Sequence, residues 1–429
     1  MQKFSIHNNL FVKNRQKLMA LLLPDAVAII HANDEMPRNG YQFFPYRQNS
    51  DLFYLTGINE PKTILVLCPQ HPNEKYKEIV FISKPNEEFS IWYGHQPGKE
   101  EITAISGIQQ VMWLEDFDTV LKDFIISSKH IFLTANEYIK FVPDFDDRNQ
   151  RFTHQLKQAF PLHPYYRLAP LISELRLIKE KEEIELIQQA CAITSKAFQR
   201  ILQFTKPSVF EYEIEAEISH EFTVNKANAH AYSPIIAAGE NACTLHYVEN
   251  KAVCNDGELI LLDFGAEYGN YASDCTRTIP INGKFSERQK ACYQAVLNVH
   301  KKAIELFIPG NTIDYLNTTV ELMIEEELIQ LGLFTQAEVM MQNPEKPLLK
   351  KYYMHGVSHF IGLDVHDAGS KQSVFEEGMI LSCEPGIYIK EEKIGIRIEN
   401  DILITKEGPV NLMAAIPMEI EEIEKLMKR

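Results

Sequence analysis

Two aspartates, Asp263 and Asp274, flank the turn-rich centre of the segment ELILLDFGAEYGNYASDCTRT, residues 258–278. The apolar run Leu259-Ile260-Leu261-Leu262 leads into the first, and Tyr271-Ala272-Ser273 returns to the second, a pattern that predicts a β-hairpin. With a two-residue turn at Tyr268-Gly269, the aspartates face each other across the strands. Facing residues have Cβ atoms roughly 4.5–5.5 Å apart, and like charges there are unfavourable. At about 5 Å and an effective dielectric near 20 the repulsion is on the order of 3 kcal/mol. A divalent cation between the carboxylates removes it; a slipped register, or one aspartate turned to solvent, avoids it.

Three further segments carry groups able to complete such a site. YYMHGVSHFIGLDVHD, residues 352–367, places His355, His359 and His366 within twelve residues, out of 14 histidines in the chain. Gly356 and Gly362 there favour a loop or strand over a helix. Glu384 ends the apolar run Met379–Cys383 and is fixed by Pro385-Gly386; its bland role is that of a satisfied strand-end carboxylate. From Lys393 to Ile402 the residues alternate with period two, which puts Arg397, Glu399 and Asp401 on one face and isoleucines on the other. That pattern usually marks a solvated face, and it also suits a strand carrying Glu399 as a ligand with Arg397 as its charged support. Asp263, Asp274, Glu384 and Glu399 bring four negative charges; with one neutral histidine they balance two divalent ions and leave room for a bridging hydroxide. A two-metal hydrolase site has this composition, with ions about 3.5–4 Å apart that activate water. Oxygen-dominated ligands favour manganese, magnesium or cobalt, and the imidazole tilts the choice toward transition ions.

The elements that must hold these groups read as two domains, 1–172 and 173–429. Up to about residue 170, β-rich runs (Ala26–His31, Thr63–Cys68, Glu78–Ser83 and His130–Thr134) alternate with helical stretches, which predicts an α/β domain. Within it, Tyr46–Gly57 reads as an ordinary loop and the start of a strand. Prolines 161, 164 and 170 mark the boundary. Beyond it, an amphipathic helix from about Lys179 to Phe204 buries Ile184, Ile187, Cys191, Thr194, Phe198, Ile201 and Leu202. Helices over about 211–226, 286–307 and 313–331 then alternate with hairpin strands, an α+β domain, and residues 418–429 form a charged terminal helix. Lys13, Arg15 and Lys17 ahead of Leu18–Leu23 superficially resemble a signal peptide. Pro24-Asp25 stop that run after six residues, and the segment reads instead as a helix followed by a strand.

Composition narrows the partners. The formal net charge of −16, with no compensating Lys/Arg-rich segment, speaks against a nucleic-acid or anionic-membrane surface. No run approaches the length of a membrane span. Seven scattered cysteines without a C-x-x-C pair read as reduced thiols in a cytoplasmic setting.

The order Asp263, Asp274, His359, Glu384, Glu399 resembles the ligand pattern of the pita-bread metallopeptidases. HGVSHFIGLDVHD (355–367), EPGIY (384–388) and GIRIEN (395–400) resemble the aminopeptidase P branch, the Xaa-Pro aminopeptidases. RQNSD (47–51) and IWYG (91–94) are similar to that branch's N-terminal domain, so the likeness spans most of the chain. Methionine aminopeptidases share the five ligands but lack such a domain, whereas prolidases share both domains. The resemblance implies an α/β N-terminal domain and an α+β catalytic domain with the pita-bread fold. It implies an enzyme that releases the N-terminal residue from peptides with proline at the second position, assembled as a homodimer or homotetramer. Two divalent ions are implied, manganese first, with cobalt or zinc as alternatives.

Asp263 and Asp274 then bind the metals with Asp274 bridging, His359 and Glu384 complete one ion, Glu399 bridges both, and Glu384 shuttles the proton of the bridging water. His246, His355 and His366 match histidines that hold the scissile carbonyl and its oxyanion. Tyr232, Tyr388 and Arg397 match supporting positions, and Asp51 and Trp92 match N-terminal-domain residues that reach a neighbouring subunit's active site. The segment Pro170–Arg176 matches loosely, and no substrate-binding arginine is assigned from it. The competing readings are a prolidase restricted to Xaa-Pro dipeptides and a non-catalytic binding protein of the same fold, against which the presence of all five ligands weighs.

Overall fold

The computed structural model describes residues 6–138, 140 and 144–428, and the chain divides between Arg176 and Leu177 into two compact units. In the first unit the basic and apolar start is a helix, α1 (Asn9–Leu21), followed by strand β1 (Ala26–His31). Five more strands join it: β2 (Ile64–Leu67), β3 (Glu78–Ile82), β4 (Gln110–Trp113), β5 (His130–Leu133) and β6 (Tyr165–Arg167), in the order β4-β3-β2-β1-β5-β6. β1 is antiparallel to β2 and parallel to β5, and every one of its residues is buried, as an uninterrupted apolar run requires.

Tyr46–Gly57 is not a loop leading into a strand. It contains a helix, α2 (Ser50–Thr56), whose N-terminus is capped by the Asn49 side chain accepting from the Leu52 amide at 3.0 Å. Gly57, at φ +67°, closes it in the left-handed conformation. These caps outweigh the β-propensity of the aromatic run, and the helix buries Leu52, Phe53 and Leu55. Helix α3 (Glu87–Tyr93) follows, and α4 (Phe117–Ser127) and α5 (Arg148–Ala159) cover one face of the sheet. There Phe117, Leu121, Phe124 and Leu156 pack on Val27, Ile29 and Ile131.

The second unit holds helices α6 (Lys181–Phe204), α7 (Glu211–Val224), α8 (Glu287–Ile304), α9 (Ile313–Gln330) and α10 (Ile420–Leu426) around small antiparallel sheets. β7 (Ile235–Ala238), β8 (Leu259–Asp263) and β11 (Thr276–Pro280) form one. β9 (Ala266–Tyr268) and β10 (Tyr271–Ala272) make the far half of the expected hairpin. β12 (Ile380–Cys383) pairs with β15 (Asn400–Thr405), and β13 (Gly386–Ile389) with β14 (Ile394–Arg397).

The hairpin's register differs from expectation. Tyr268 pairs with Tyr271, so Gly269 and Asn270 make the turn, at φ +59° and +66°. A hairpin turn with positive φ at both central positions suits glycine and asparagine, and tyrosine resists it. The pairing therefore moves by two, and Asp263 faces Thr276 instead of Asp274. A shift of two residues preserves the face, so the aspartates remain diagonal neighbours on one side. The Lys393–Ile402 segment also departs from a single half-solvated strand. It breaks between β14 and β15, and Arg397, Glu399 and Asp401 are 4 %, 2 % and 0 % exposed, because both faces are covered. Among the described residues no helix is long and apolar enough to cross a membrane.

A Cβ on Gly265, between the two aspartates, would lie 1.7 Å from the Ser273 carbonyl oxygen. Gly265→Ala must part the hairpin there, and its melting temperature is expected to fall by about 5 °C or more. An unchanged thermal melt would contradict this account of the hairpin.

Candidate metal centre

Four separate stretches of backbone deliver the candidate ligands. Asp263 ends β8 and Asp274 precedes β11, while Glu399 sits in the link from β14 to β15. Glu384 follows β12 directly, and the loop carrying His359 is laid along that strand. Ser382 N donates to His359 O at 2.8 Å, and His359 N donates to Ser382 Oγ at 3.0 Å.

Asp274, His359 and Glu399 each present a ligand atom, all within 4.8 Å of one another. His359 Nε2 lies 3.3 Å from Asp274 Oδ2 and 3.6 Å from Glu384 Oε1. Its Nδ1 is 3.2 Å from the Phe360 carbonyl oxygen. A carbonyl only accepts, so Nδ1 carries a proton and Nε2 is the nitrogen presented to the carboxylates. Asp263 stands slightly apart. Its Oδ2 accepts from Arg397 Nη2 at 2.6 Å, and its Oδ1 is 2.6 Å from the Tyr232 hydroxyl, which is also 2.5 Å from Asp274 Oδ1. A phenol has one proton to donate, so one of those two contacts requires a proton on a carboxyl or a cation beside it.

The electrostatics agree. Burial raises the Glu384 carboxyl to about 7, although His359 and Arg397 oppose it. Burial and then the neighbouring Asp274 and Glu384 lift Glu399 well above the carboxylate range. Asp263 is raised by burial in spite of Arg397. Burial alone would lower His359, but Asp274 and Glu384 hold it up at about 9. Carboxyls that keep protons near neutrality give them up to bound cations, and a set of carboxylate oxygens with one imidazole fits divalent metal ions.

Behind the ligands runs a chain of donors. Arg397 Nη1 donates to the Tyr388 hydroxyl at 2.7 Å, that hydroxyl lies 2.8 Å from His355 Nε2, and His355 Nδ1 is 2.7 Å from the Gly356 carbonyl. The carbonyl fixes the proton on Nδ1, so Tyr388 donates to Nε2. Burial and then Arg397 push His355 down to about 3, which keeps it neutral. Arg397 pairs directly with Asp263, and its hydrogen-bond route to Glu399 runs through Thr276. The Thr276 hydroxyl accepts from Arg397 Nε at 3.0 Å and donates to Glu399 Oε2 at 2.6 Å.

Thr276 and Arg277 were not among the expected site residues. Fully buried Arg277 donates to the Glu399 carbonyl and to Asn400 Oδ1, both at 2.6 Å. A charge inside an apolar strand three residues past Asp274 was the available signal. Asp401, expected on the same face as Glu399 but without a role, accepts from the Asp274 amide at 3.1 Å. The His366 ring lies tilted by 33° against His359 with ring centroids 4.0 Å apart, and His366 and His246 are both exposed. Asp51 and Trp92 belong to the first unit. Asp51 accepts from Arg176 Nη1 at 2.7 Å, and Trp92 is 77 % exposed on α3.

Residues 185–406 match Metallopeptidase family M24, and residues 11–132 match the aminopeptidase P N-terminal domain. The chain is 38 % identical to the Xaa-Pro aminopeptidase of Haemophilus influenzae, over 97 % of this chain and 96 % of that protein. It is 35 % identical to the Xaa-Pro aminopeptidase of Escherichia coli, over 97 % of each. The structure of zinc-substituted E. coli aminopeptidase P in complex with product superposes with a TM-score of 0.90 at 33 % identity, covering 99 % of each chain. With both domains matched and the likeness running nearly end to end, the chain belongs to metallopeptidase family M24, in its aminopeptidase P branch, and has the pita-bread fold of that branch.

Proposed function

We propose that this protein is a metal-dependent exopeptidase that removes the N-terminal residue from peptides with proline at the second position. The observation that carries the chemistry is the gathering of buried Asp263, Asp274 and Glu399 with half-buried Glu384 and His359. The preference for proline rests on the relatives, which bear that specificity in their names. Four carboxylates against the one guanidinium of Arg397 leave three negative charges. One divalent ion falls short of neutralising them; two leave room for a single anionic nucleophile. We therefore assign two ions, manganese first on the oxygen-rich donor set, held by Asp263, Asp274, His359, Glu384 and Glu399. When bound, they supply Lewis acidity toward the scissile carbonyl and lower the pKa of water.

The chain's own groups do the rest. A Glu384 carboxylate oxygen takes the proton of the attacking water and passes it to the proline nitrogen as the C–N bond breaks. His246 and His366, on the open side, donate to the carbonyl oxygen as it becomes anionic. His355, with both nitrogens engaged, locks Tyr388 and Arg397, while Tyr232 holds the two aspartates together. The exposed side chains of Phe43, Phe44, Ile91, Trp92 and Tyr93 favour self-association, and we place Asp51 and Trp92 at a neighbouring subunit's site. Seven free thiols suit a reducing compartment such as the cytoplasm.

Asp274→Ala is expected to abolish metal uptake and hydrolysis of an Xaa-Pro-Yaa tripeptide; full activity would end the metal assignment. Glu384→Gln should lower kcat by about 10²–10⁴. Cleavage of Xaa-Pro dipeptides alone would favour a prolidase. The raised carboxyl groups stabilise the metal-free fold at low pH and lose that contribution as pH rises through about 7. The metal-free melting temperature should therefore fall from about pH 7 to 8.5, above the range in which the neutral His31 and His355 add stability as pH rises, and added manganese should restore it. A metal-free melt that rises over that range would contradict the assignment.

A further inference from the structure

At the carboxyl end of β1, wholly within the first unit, lies a cleft of about 410 Å³, within the range of about 300–1,000 Å³ typical of small-molecule sites. Phe117, Leu121, Phe152 and Phe160 give it apolar walls. His31, the last residue of β1, lines it and is 3 % exposed, and neither ring nitrogen has a hydrogen-bond partner. Its ring rests on Phe152 and Phe117, with centroids 4.3 and 5.9 Å away. Buried polar atoms in native folds are almost always satisfied, so this imidazole is a group awaiting a partner. Burial and then Arg148 push it down to about 3, so it is neutral and offers one donor and one acceptor.

Arg148 lines the same cleft from the first turn of α5, which a 2.9 Å hydrogen bond from Thr134 to Asn149 ties to the end of β5. It donates a 3.5 Å hydrogen bond to the Lys62 carbonyl and makes no ion pair among the described residues, although the Asp34 charge acts on it from nearby. Arg151 beside it is already paired with Asp34 at 2.7 Å. Open α/β sheets take their ligands outside the carboxyl ends of strands where the topology changes. β1 and β5 run parallel, so their carboxyl ends lie together at this side of the sheet.

We propose that this cleft binds a small apolar carboxylate, its body on Phe117 and Phe152 and its carboxylate between Arg148 and His31. Two sources share that chemistry: a simple carboxylic acid, or a free amino acid whose ammonium group meets Asp118 at the rim.

Calorimetry on the metal-loaded full chain tests this with 3-phenylpropionate, L-phenylalanine and phenethylamine. Saturable one-to-one binding of a carboxylate is expected, tighter for the amino acid or for the acid according to the source, with no binding of the amine. Arg148→Gln should weaken it about tenfold or more. His31→Phe, which keeps the ring packing and removes both nitrogens, should weaken it too and covers the case in which Arg148→Gln fails to fold. Absence of saturable binding overturns the proposal. So does undiminished binding by both variants, equal binding of the amine, or loss of binding in Asp274→Ala, which would place the ligand at the metal centre.

Discussion

Negative charge kept out of water governs the second unit. Asp263 and Glu399 are 8 % and 2 % exposed, and Asp274 is 6 % exposed between them. A pair of such charges at about 5 Å repels by on the order of 3 kcal/mol, so several pairs together rival the whole stability of a domain, about 5–15 kcal/mol. The fold opposes this with Arg397, with the His359 imidazole that Asp274 and Glu384 hold up at about 9, with the shared phenol of Tyr232 and with the Thr276 hydroxyl. It also anchors the backbone that carries the charges: Arg277 grips the Glu399 carbonyl, and Asp401 holds the Asp274 amide. Such a centre is tense without cations and relaxed with them. The same repulsion that destabilises it therefore supplies its affinity for metal.

The histidines divide by exposure. His359 turns Nε2 inward to the carboxylates with its other nitrogen against a carbonyl. His355 is consumed by the relay from Arg397 through Tyr388. His246 and His366 are exposed. One cluster of histidines in the sequence thus splits into a candidate ligand, a brace and an exposed imidazole, His366.

Much of this was legible from residue order. The residues that gather at the candidate metal centre and the hairpin face could be read because alternation is robust to a register error of two. The register itself could not, because the hydrophobic pattern is identical for turns at Tyr268-Gly269 and Gly269-Asn270; only the demand for positive φ at both positions separates them. Helix α2 was missed because its aromatic residues favour strands locally, while its caps, Asn49 and Gly57, lie at its two ends. Arg397 was read as the support of Glu399, and Thr276 was overlooked, since a hydroxyl relay between two strands leaves no periodic trace. The orphaned imidazole of His31 sits in a run of apolar residues, AVAIIH, where sequence shows a strand and nothing of the cleft beyond its end.

The central claim is that cations replace protons among these carboxylates. Titrating manganese into the metal-free protein at neutral pH, in buffers of different ionisation enthalpy, counts both directly. The account predicts two ions bound per chain with net release of protons to the buffer. Binding of fewer than two ions, or binding with no proton release, would contradict it.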